Sequence, residues 1–485
     1  MIFLVAALCG GALVLSLAPF NFWPLAFVSA GGLYTLLTLK PEAVNRIALG
    51  FGLAKFGVGL SWVYVSIHVY GSASPVLAGG LVLLMVTFMS LSYLAQLRLF
   101  MALRSEREWL NWLLFVATWV LFEWFWTWFL TGFPWLFAGY SQLATPLAGL
   151  APLGGVFLVS AAVVLVGVAG SSVLRSPRLA LPVILLTLLV GWLADRVEWT
   201  TPGETYSAAL VQGNTEQSVK WNADQRDAIV RTHVQMSAPW WGKADVIVWP
   251  EGAVTYWAHE AEALLTQLHR QGVRTETALV TGIPLAERVD GDVHVYNGVI
   301  AVGAAQGQYR KQDLVPFGEY VPLEGLLRGL IAFFDLPMSG FSAGGSDQPL
   351  LQLKNLRAAM LICYEIAYPE TVRVQSVGAD VLLTISNDTW FGSSIGPLQH
   401  MQLAQMRARE TGRWILRATN NGVTGIIDPK GGITASLPQF QADVLQGSFR
   451  AVTGSTPFQH AGNWPVLLLS FFALGLAFAT RQPAR

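Results

Sequence analysis

LRAAMLICYEI (356–366) is an apolar run with the character of a buried strand, and it closes on a cysteine, a tyrosine and a glutamate. YPETVRVQSVG (368–378) follows with helical spacing, and ADVLLTISND (379–388) is apolar again. Strand, helix and strand in succession predict a parallel crossover, hence a layered α/β domain. Within this stretch alone Cys363 reads first as a core thiol, because free cysteine is often buried, with a nucleophile as the alternative.

The same alternation extends to both sides. YSAALVQGN (206–214), ADVIVWPEG (244–252) and TALVTGIP (277–284) read as strands, with helices at DQRDAIVRTHVQMSA (224–238) and EAEALLTQLHRQG (260–272). VYNGVIAVG (295–303) and GQYRKQDLVP (307–316) read as a strand pair about a turn at Ala304–Gly307. Further on, PLQHMQLAQMRARETG (397–412) is helical, and WILRATNNG (414–422) and VTGIIDPKGG (423–432) are strands. Crossovers mixed with hairpins predict an α-β-β-α sandwich over residues 201–455.

The flanking sequence has a different chemistry. The chain of 485 residues is 53% hydrophobic and 12% charged, against about a quarter charged in an average soluble domain. Zero net charge offers no basic surface for nucleic acid, and 19 tryptophans with 26 phenylalanines suit a membrane interface. A spanning helix needs about 20 mostly apolar residues. Candidates lie near 2–18, 24–39, 46–67, 76–103, 109–130, 150–172, 179–196 and 463–480. The expectation is a bundle of seven spans over residues 1–200, then the α/β domain, then an eighth span and a tail over 456–485. Lys40, Arg46, Arg98, Arg104, Arg107, Arg175, Arg178, Arg481 and Arg485 fall in alternate connections or the tail, whereas PFNFWP, HVYGSASP and TGFPWLFAGYSQLATP carry no Lys or Arg. By the positive-inside rule both termini are cytoplasmic, and the α/β domain is on the far side: the periplasm, for a Gram-negative inner membrane. Lys55 and Glu123 lie within spans, where snorkelling or local pairing is the plain reading. Cys9 reads as membrane packing, not as a lipoprotein processing site.

Three chemical groups occupy corresponding positions in the α/β domain: Glu251 after ADVIVWP, Lys311 in YRKQDLVP and Cys363. Strand ends are usual places for chemistry in layered α/β folds. A thiol needs a base, which Glu251 could be if burial raises its pKa. A tetrahedral intermediate needs a positive donor for its oxyanion, which suits Lys311. The seven histidines show no HxxxH spacing and there is no Walker loop, so neither a metal nor a cofactor is expected. His400 reads as a helix-face contact.

VWPEG, YRKQDLVPFGEYVP, LICYEI, TISNDTWFG and ATNNGVTGIIDPKG together resemble the nitrilase superfamily and its Glu-Lys-Cys triad. LVPFGEYVP and NDTWFG resemble its membrane-bound branch, the apolipoprotein N-acyltransferases. The likeness runs motif by motif over residues 206–450, and the span layout extends it over nearly the whole chain. It implies a ping-pong acyl transfer. Glu251 would take the proton of Cys363, and the thiolate would attack the sn-1 ester of a phospholipid such as phosphatidylethanolamine. The N-terminal amine of a diacylglyceryl-cysteine lipoprotein would then attack the thioester, with Lys311 stabilising both tetrahedral intermediates. Glu319 and Glu365 match further acidic positions of that site, able to orient Lys311 or polarise the amine, and the Tyr364 N–H is a candidate oxyanion donor. Trp221, in SVKWNADQ, matches a family tryptophan near the substrate. Trp390 and Phe391 would line acyl access together with FPWLFAGYSQ (133–142), unless these aromatics are core contacts. LLRGLIAFFDLPMSGF (326–341) is short for a span and reads as an interfacial arm over the site. Two departures stand out. Gly252 follows Glu251 where a small hydroxyl or alanine is common, which would loosen the turn. Asp313 adds a carboxylate, read as a surface group beside Arg310. The implied protein works as a monomer. Rival readings are a membrane-tethered amidase with the same triad, in which water replaces the amine, and a non-enzymatic transporter or lipid-binding module.

Overall fold

Two twisted sheets form the centre of the C-terminal half in the computed structural model, which describes residues 1–289, 291–322 and 340–480. The first sheet runs, edge to edge, through Asp443–Gly454 (β13), Thr200–Gln212 (β1), Val246–Val248 (β2), Ala278–Val289 (β3), Asp292–Gly303 (β4) and Gln308–Arg310 (β6). The second runs through Ile433–Ser436 (β12), Gly425–Ile427 (β11), Ile415–Thr419 (β10), Val381–Ser386 (β9), Leu356–Ile362 (β8), Leu351–Leu353 (β7) and Ala305–Gln306 (β5). Between them lies an apolar layer built from every second residue of the facing strands: Leu210, Val248 and Val280 against Met360, Ile362, Leu383 and Leu416. Helices cover the outer faces, Arg226–Ser237 and Glu262–Thr275 on the first sheet, Pro369–Gln375 and Gly396–Thr411 on the second. The α-β-β-α order is as the sequence predicts.

Several boundaries differ. The strand LRAAMLICYEI stops at Ile362, and Cys363–Ala367 is a 3₁₀ turn. The strand carrying Lys311 stops at Arg310. The connection between β4 and β6 is also more than a turn, because Ala305–Gln306 cross over to pair with β7 and so join the two sheets. β13 was not legible as a strand, yet it pairs antiparallel along the length of β1.

The N-terminal apolar runs are helices: Ile2–Leu15, Pro24–Leu39, Val44–Gly59, Pro75–Leu103, Glu108–Phe125, Ala151–Ser171 and Pro177–Ala194, with Trp464–Thr480 returning from the far end of the chain. Among the described residues, Pro75–Leu103, Pro146–Ser171 and Pro177–Ala194 are long and apolar enough to cross a membrane. Pro41–Gly59 and Trp62–Tyr70 pass together as a pair bent by 50°, whereas Ile2–Leu15, Pro24–Leu39 and Trp464–Thr480 are apolar but shorter. Helices without a hydrophobic drive between them pack through small residues. Gly31 and Gly167 illustrate this: a side chain on Gly31 would come within 2.4 Å of the Gly167 carbonyl. Leu185, Leu186, Leu189, Leu468, Leu469 and Phe472 are exposed on Pro177–Ala194 and Trp464–Thr480, an apolar surface suited to lipid. Lys55 does not snorkel; its Nζ bonds Tyr93 Oη at 2.9 Å, while Glu123 accepts from Trp119 Nε1 at 2.9 Å and from the Ala138 N–H at 2.8 Å. Cys9 is buried in the bundle, and a side chain at Gly32 would lie 2.7 Å from its sulfur.

Helix Gly396–Thr411 explains how the two parts fit together. Its sequence is polar, yet it is buried nearly all round, because one face covers the second sheet and the other meets the bundle. Several polar groups on the second face find partners there. Gln399 Oε1 accepts from Trp62 Nε1 (3.2 Å) and Trp135 Nε1 (2.7 Å), and Gln402 Oε1 accepts from the Ala18 N–H (3.0 Å). Glu410 Oε1 accepts from the Val156 N–H at 2.7 Å, just past the break at Gly154–Gly155 where Ala151–Ser171 restarts. FPWLFAGYSQ is therefore mostly buried contact between bundle and sandwich, not an exposed aromatic belt. Residues 326–339 of the expected interfacial arm lie outside the described residues, as do Arg481 and Arg485.

Candidate active site

Glu251, Lys311 and Cys363 come from three strand ends at one edge of the sandwich. Glu251 follows β2 by three residues. The ladder continues through the Trp249 N–H to Val280 O at 2.8 Å, and Gly252, with φ +61°, then turns the chain. A Cβ at 252 would meet Lys220 Cε at 2.8 Å. Glycine therefore fits this turn tightly, and the expectation that it loosens the turn is corrected.

The carboxylate of Glu251 is held at both oxygens. Oε1 accepts from Asn297 Nδ2 at 2.7 Å and Oε2 from the Asn387 N–H at 2.7 Å. Each oxygen keeps one lone pair for a further proton donor. Lys311, 1% exposed, points its Nζ at Glu319 Oε2 (2.8 Å) and lies 3.8 Å from Glu251 Oε1. Burial works against this charge, but Glu319 and Glu251 outweigh it and hold the lysine above its ordinary pKa. Asn297 also donates to Glu319 Oε1 at 2.8 Å, so a single amide spans the two carboxylates.

Cys363 has φ +54°, a left-handed backbone that only a few per cent of non-glycine residues adopt. It opens the 3₁₀ turn, whose first N–H groups have no partner within the turn. Burial and Glu251 push the thiol pKa up while Lys311 pulls it down, so the resting group is a thiol that needs a base. Tyr364, next in the chain, donates its hydroxyl to Gly132 O at 3.1 Å in the bundle's connecting loop.

Glu365 differs from the expectation that it orients Lys311 or polarises an amine. Fully buried, it accepts from the Ile362 N–H (2.6 Å), the Gln312 N–H (2.6 Å) and Tyr309 Oη (2.9 Å), tying the Cys363 turn to the segment after Lys311. Burial and Asp313 push it up to about 8, against these donors. Asp313 is not a surface partner of Arg310. It is partly buried and accepts from Thr371 Oγ1 at 2.6 Å, while Arg310 pairs with Glu287.

The aromatic expectations divide. Trp221 is partly buried with its ring 3.7 Å from the Cβ position of Gly252, beside the Glu251 turn, and its Nε1 has no hydrogen-bond partner among the described residues. Trp390 and Phe391 are also partly buried. Trp390 lies edge-on to Tyr70, and Phe391 packs against Trp62 with ring centroids 4.7 Å apart, where the bent helix pair meets the sandwich.

Sequence reasoning missed three groups. Asn297 carried one signal, an amide in the otherwise apolar strand VYNGVIAVG. Lys220 carried none; 2% exposed, it donates to the Glu251 carbonyl at 2.7 Å, and burial lowers its pKa to about 8 although Glu251 raises it. Asp388, His400 and Arg417 form the third, a buried cluster beside the Cys363 carbonyl, of which the sequence offered His400 only as a helix-face contact.

Residues 207–458 match the carbon-nitrogen hydrolase family, and residues 9–169 match the apolipoprotein N-acyltransferase N-terminal domain. Over 496 residues the chain is 45% identical to the apolipoprotein N-acyltransferase of Pseudomonas syringae pv. tomato, covering 98% of this chain and 96% of that one. Identity to the Azotobacter vinelandii apolipoprotein N-acyltransferase is 46%, covering 99% and 95%. For that of Vibrio cholerae it is 39%, covering 99% and 98%.

Proposed function

This chain belongs to the apolipoprotein N-acyltransferase family, and on that premise we propose that it moves an acyl chain from the sn-1 position of a phospholipid to the N-terminal amine of a diacylglyceryl-cysteine lipoprotein, through a thioester on Cys363. Glu251 takes the thiol proton as sulfur attacks the ester carbonyl. The C–S bond forms, the ester C–O bond breaks, and the departing lysophospholipid oxygen takes the proton from Glu251. In the second half the amine attacks the thioester, Glu251 receives its proton, and that proton returns to the sulfur as the C–S bond breaks. Lys311 and the Tyr364 N–H stabilise the oxyanion in both halves. Glu319 holds Lys311, and Trp221, Trp390 and Phe391 contact the lipid substrates.

The observation that carries this reading is the arrangement of Glu251, Asn297, Lys311 and Glu319 in one hydrogen-bonded group electrostatically coupled to Cys363. The membrane arrangement is part of the proposal. Eight apolar helices cross the bilayer, seven within residues 1–200 and one within 456–485. Both termini are cytoplasmic, and the domain at 201–455 faces the periplasm of the inner membrane. The alternation of cationic and uncharged connections supports it.

The test is intact-mass analysis of purified protein incubated with phospholipid, followed by a lipopeptide amine. An acyl mass on Cys363, then N-acylated peptide, is the expected sequence. Loss of the adduct to water alone identifies the amidase reading, and an active enzyme whose Cys363 never carries an acyl group refutes the thioester.

A further inference from the structure

Beside the group of Glu251, Asn297, Lys311 and Glu319 lies a buried cation that the acyl-transfer scheme does not use. Lys220 ends the short helix Gln217–Lys220 and is 2% exposed. Its Nζ donates to the main-chain carbonyl of Glu251 at 2.7 Å, the only donor to that oxygen among the described residues. A Cβ on Gly252 would lie 2.8 Å from its Cε and 3.1 Å from its Nζ, so the amine is packed against the turn just past Glu251. The same helix reaches Glu251 by a second route. Gln217 Oε1 accepts from Asn387 Nδ2 at 2.8 Å, and the Asn387 N–H donates to Glu251 Oε2 at 2.7 Å. The residues leading into the helix are clamped in turn. The Thr215 N–H donates to Asn420 Oδ1 at 2.9 Å, and Thr215 O accepts from Asn420 Nδ2 at 2.7 Å.

A neutral N–H would satisfy this carbonyl, yet the residue present is a lysine. Burial lowers its pKa to about 8 although Glu251 and Cys363 raise it, so at neutral pH the group is an ammonium. His233, also buried beside it, is held down to about 4 by burial and stays neutral. An ammonium makes a charge-assisted hydrogen bond, roughly twice as strong as a neutral one. The oxygen it holds belongs to the peptide between Glu251 and Gly252. Gly252 has φ +61°, and glycine by itself permits many other backbone conformations. Without a donor at that oxygen the peptide would be free to rotate and carry the Glu251 side chain with it. Lys220 thus restrains the main chain from which the carboxylate is aimed, and Asn387, held by Gln217, restrains one of its oxygens.

We propose that the turn Gln217–Lys220 is a brace for the catalytic base: Lys220 holds the main chain of Glu251, and Gln217, through Asn387, holds its carboxylate. The proposal rests on Glu251 being the base. Lys220 and Gln217 are positioning residues, and each acts on acyl transfer through Glu251. Because Glu251 moves the proton in both half-reactions, loss of the brace slows both by a common factor and leaves lipid binding unaltered.

The experiment uses the full chain in detergent micelles, with Lys220→Met and Gln217→Leu. Methionine keeps the apolar arm of the lysine and removes its donor. Single-turnover acylation of Cys363 is followed by intact mass over a range of phospholipid mole fractions, and a lipopeptide amine then discharges the thioester. A displacement of about 1 Å in a reacting group costs about a hundredfold, so Lys220→Met is expected to acylate about 10- to 100-fold more slowly. Its amplitude and half-saturating mole fraction should match wild type. Gln217→Leu loses one neutral hydrogen bond, and a fall of about three- to tenfold is expected. In each variant discharge to the amine should slow by the same factor as acylation. Misfolding would lower the amplitude instead of the rate, and a lost lipid contact would raise the half-saturating fraction. A Lys220→Met protein that acylates within about threefold of wild type, or whose loss is confined to amplitude or half-saturation, overturns the proposal. If Lys220→Met does not fold, Gln217→Leu, at a half-buried position, decides in the same terms, and unchanged rates overturn the proposal. Alkylation of Cys363 by iodoacetamide at neutral pH, read by peptide mass, needs the base but no lipid, and it should slow in both variants. Wild-type Cys363 that alkylates normally but takes no acyl group from phospholipid refutes the transferase reading instead. The alkylation rates of the variants then still test the brace, so the two failures are distinguishable.

Discussion

Asn297→Ala tests whether the site depends on its bridging amide. One Nδ2 serves Glu251 Oε1 at 2.7 Å and Glu319 Oε1 at 2.8 Å. A hydrogen bond to a charged group is worth about 1.5–3 kcal/mol, so two amount to about 3–6 kcal/mol before replacement. Asn297 is 6% exposed, and water entering the space left by its side chain would restore part of that. A net loss of about 2–4 kcal/mol in holding Glu251 toward the sulfur corresponds to about 30- to 1,000-fold in the acylation rate. Two carboxylates freed from their shared donor would also both turn to Lys311, drawing Glu251 from its place. The assay is single-turnover acylation of Cys363 with phospholipid in excess, quantified by intact mass at timed quenches. Thermal unfolding of the same preparation separates misfolding from mispositioning. A variant that folds and acylates within threefold of wild type refutes the reasoning. Asn297→Asp, which replaces the amide with a third carboxylate, should be slower than the alanine variant.

Gly252→Ala puts a Cβ 2.8 Å from Lys220 Cε at φ +61°, which costs about 1–2 kcal/mol in backbone strain alone; a lowered unfolding temperature and slower acylation are expected, and unchanged values would show that the turn relaxes freely. Glu365 is raised to about 8 by burial and Asp313, so the folded protein binds a proton that the unfolded chain releases near its ordinary pKa of about 4.3. Its contribution to stability is therefore complete below that unfolded value and is lost as pH rises through about 8; the unfolding temperature of Glu365→Gln should fall less across pH 5–8 than that of wild type, and parallel curves would contradict this. Gln399→Leu leaves the indole N–H groups of Trp62 and Trp135 without their acceptor; a loss of about 1–3 kcal/mol is expected in denaturant unfolding, and an unchanged midpoint would mean that the bundle and the sandwich do not rely on that amide.

The sequence alone determined the classes of element and their order. Apolar runs bounded by cationic connections can only be satisfied as helices in a lipid-like environment, and alternating short apolar and amphipathic segments can only be buried in layers. The three candidate catalytic groups were legible because each follows the end of such a segment and each fits a specific motif. Tertiary structure decided what those groups touch. Asn297, Lys220 and His400 lie 46, 31 and 37 residues in sequence from the groups they bond, and no local pattern records a hydrogen bond that exists only once two sheets and a bundle have closed on one another. The same holds for Gly396–Thr411. Its polar sequence reads as a surface helix, and only the packing of a sheet on one side and apolar helices on the other gives Gln399 Oε1, Gln402 Oε1 and Glu410 Oε1 their partners.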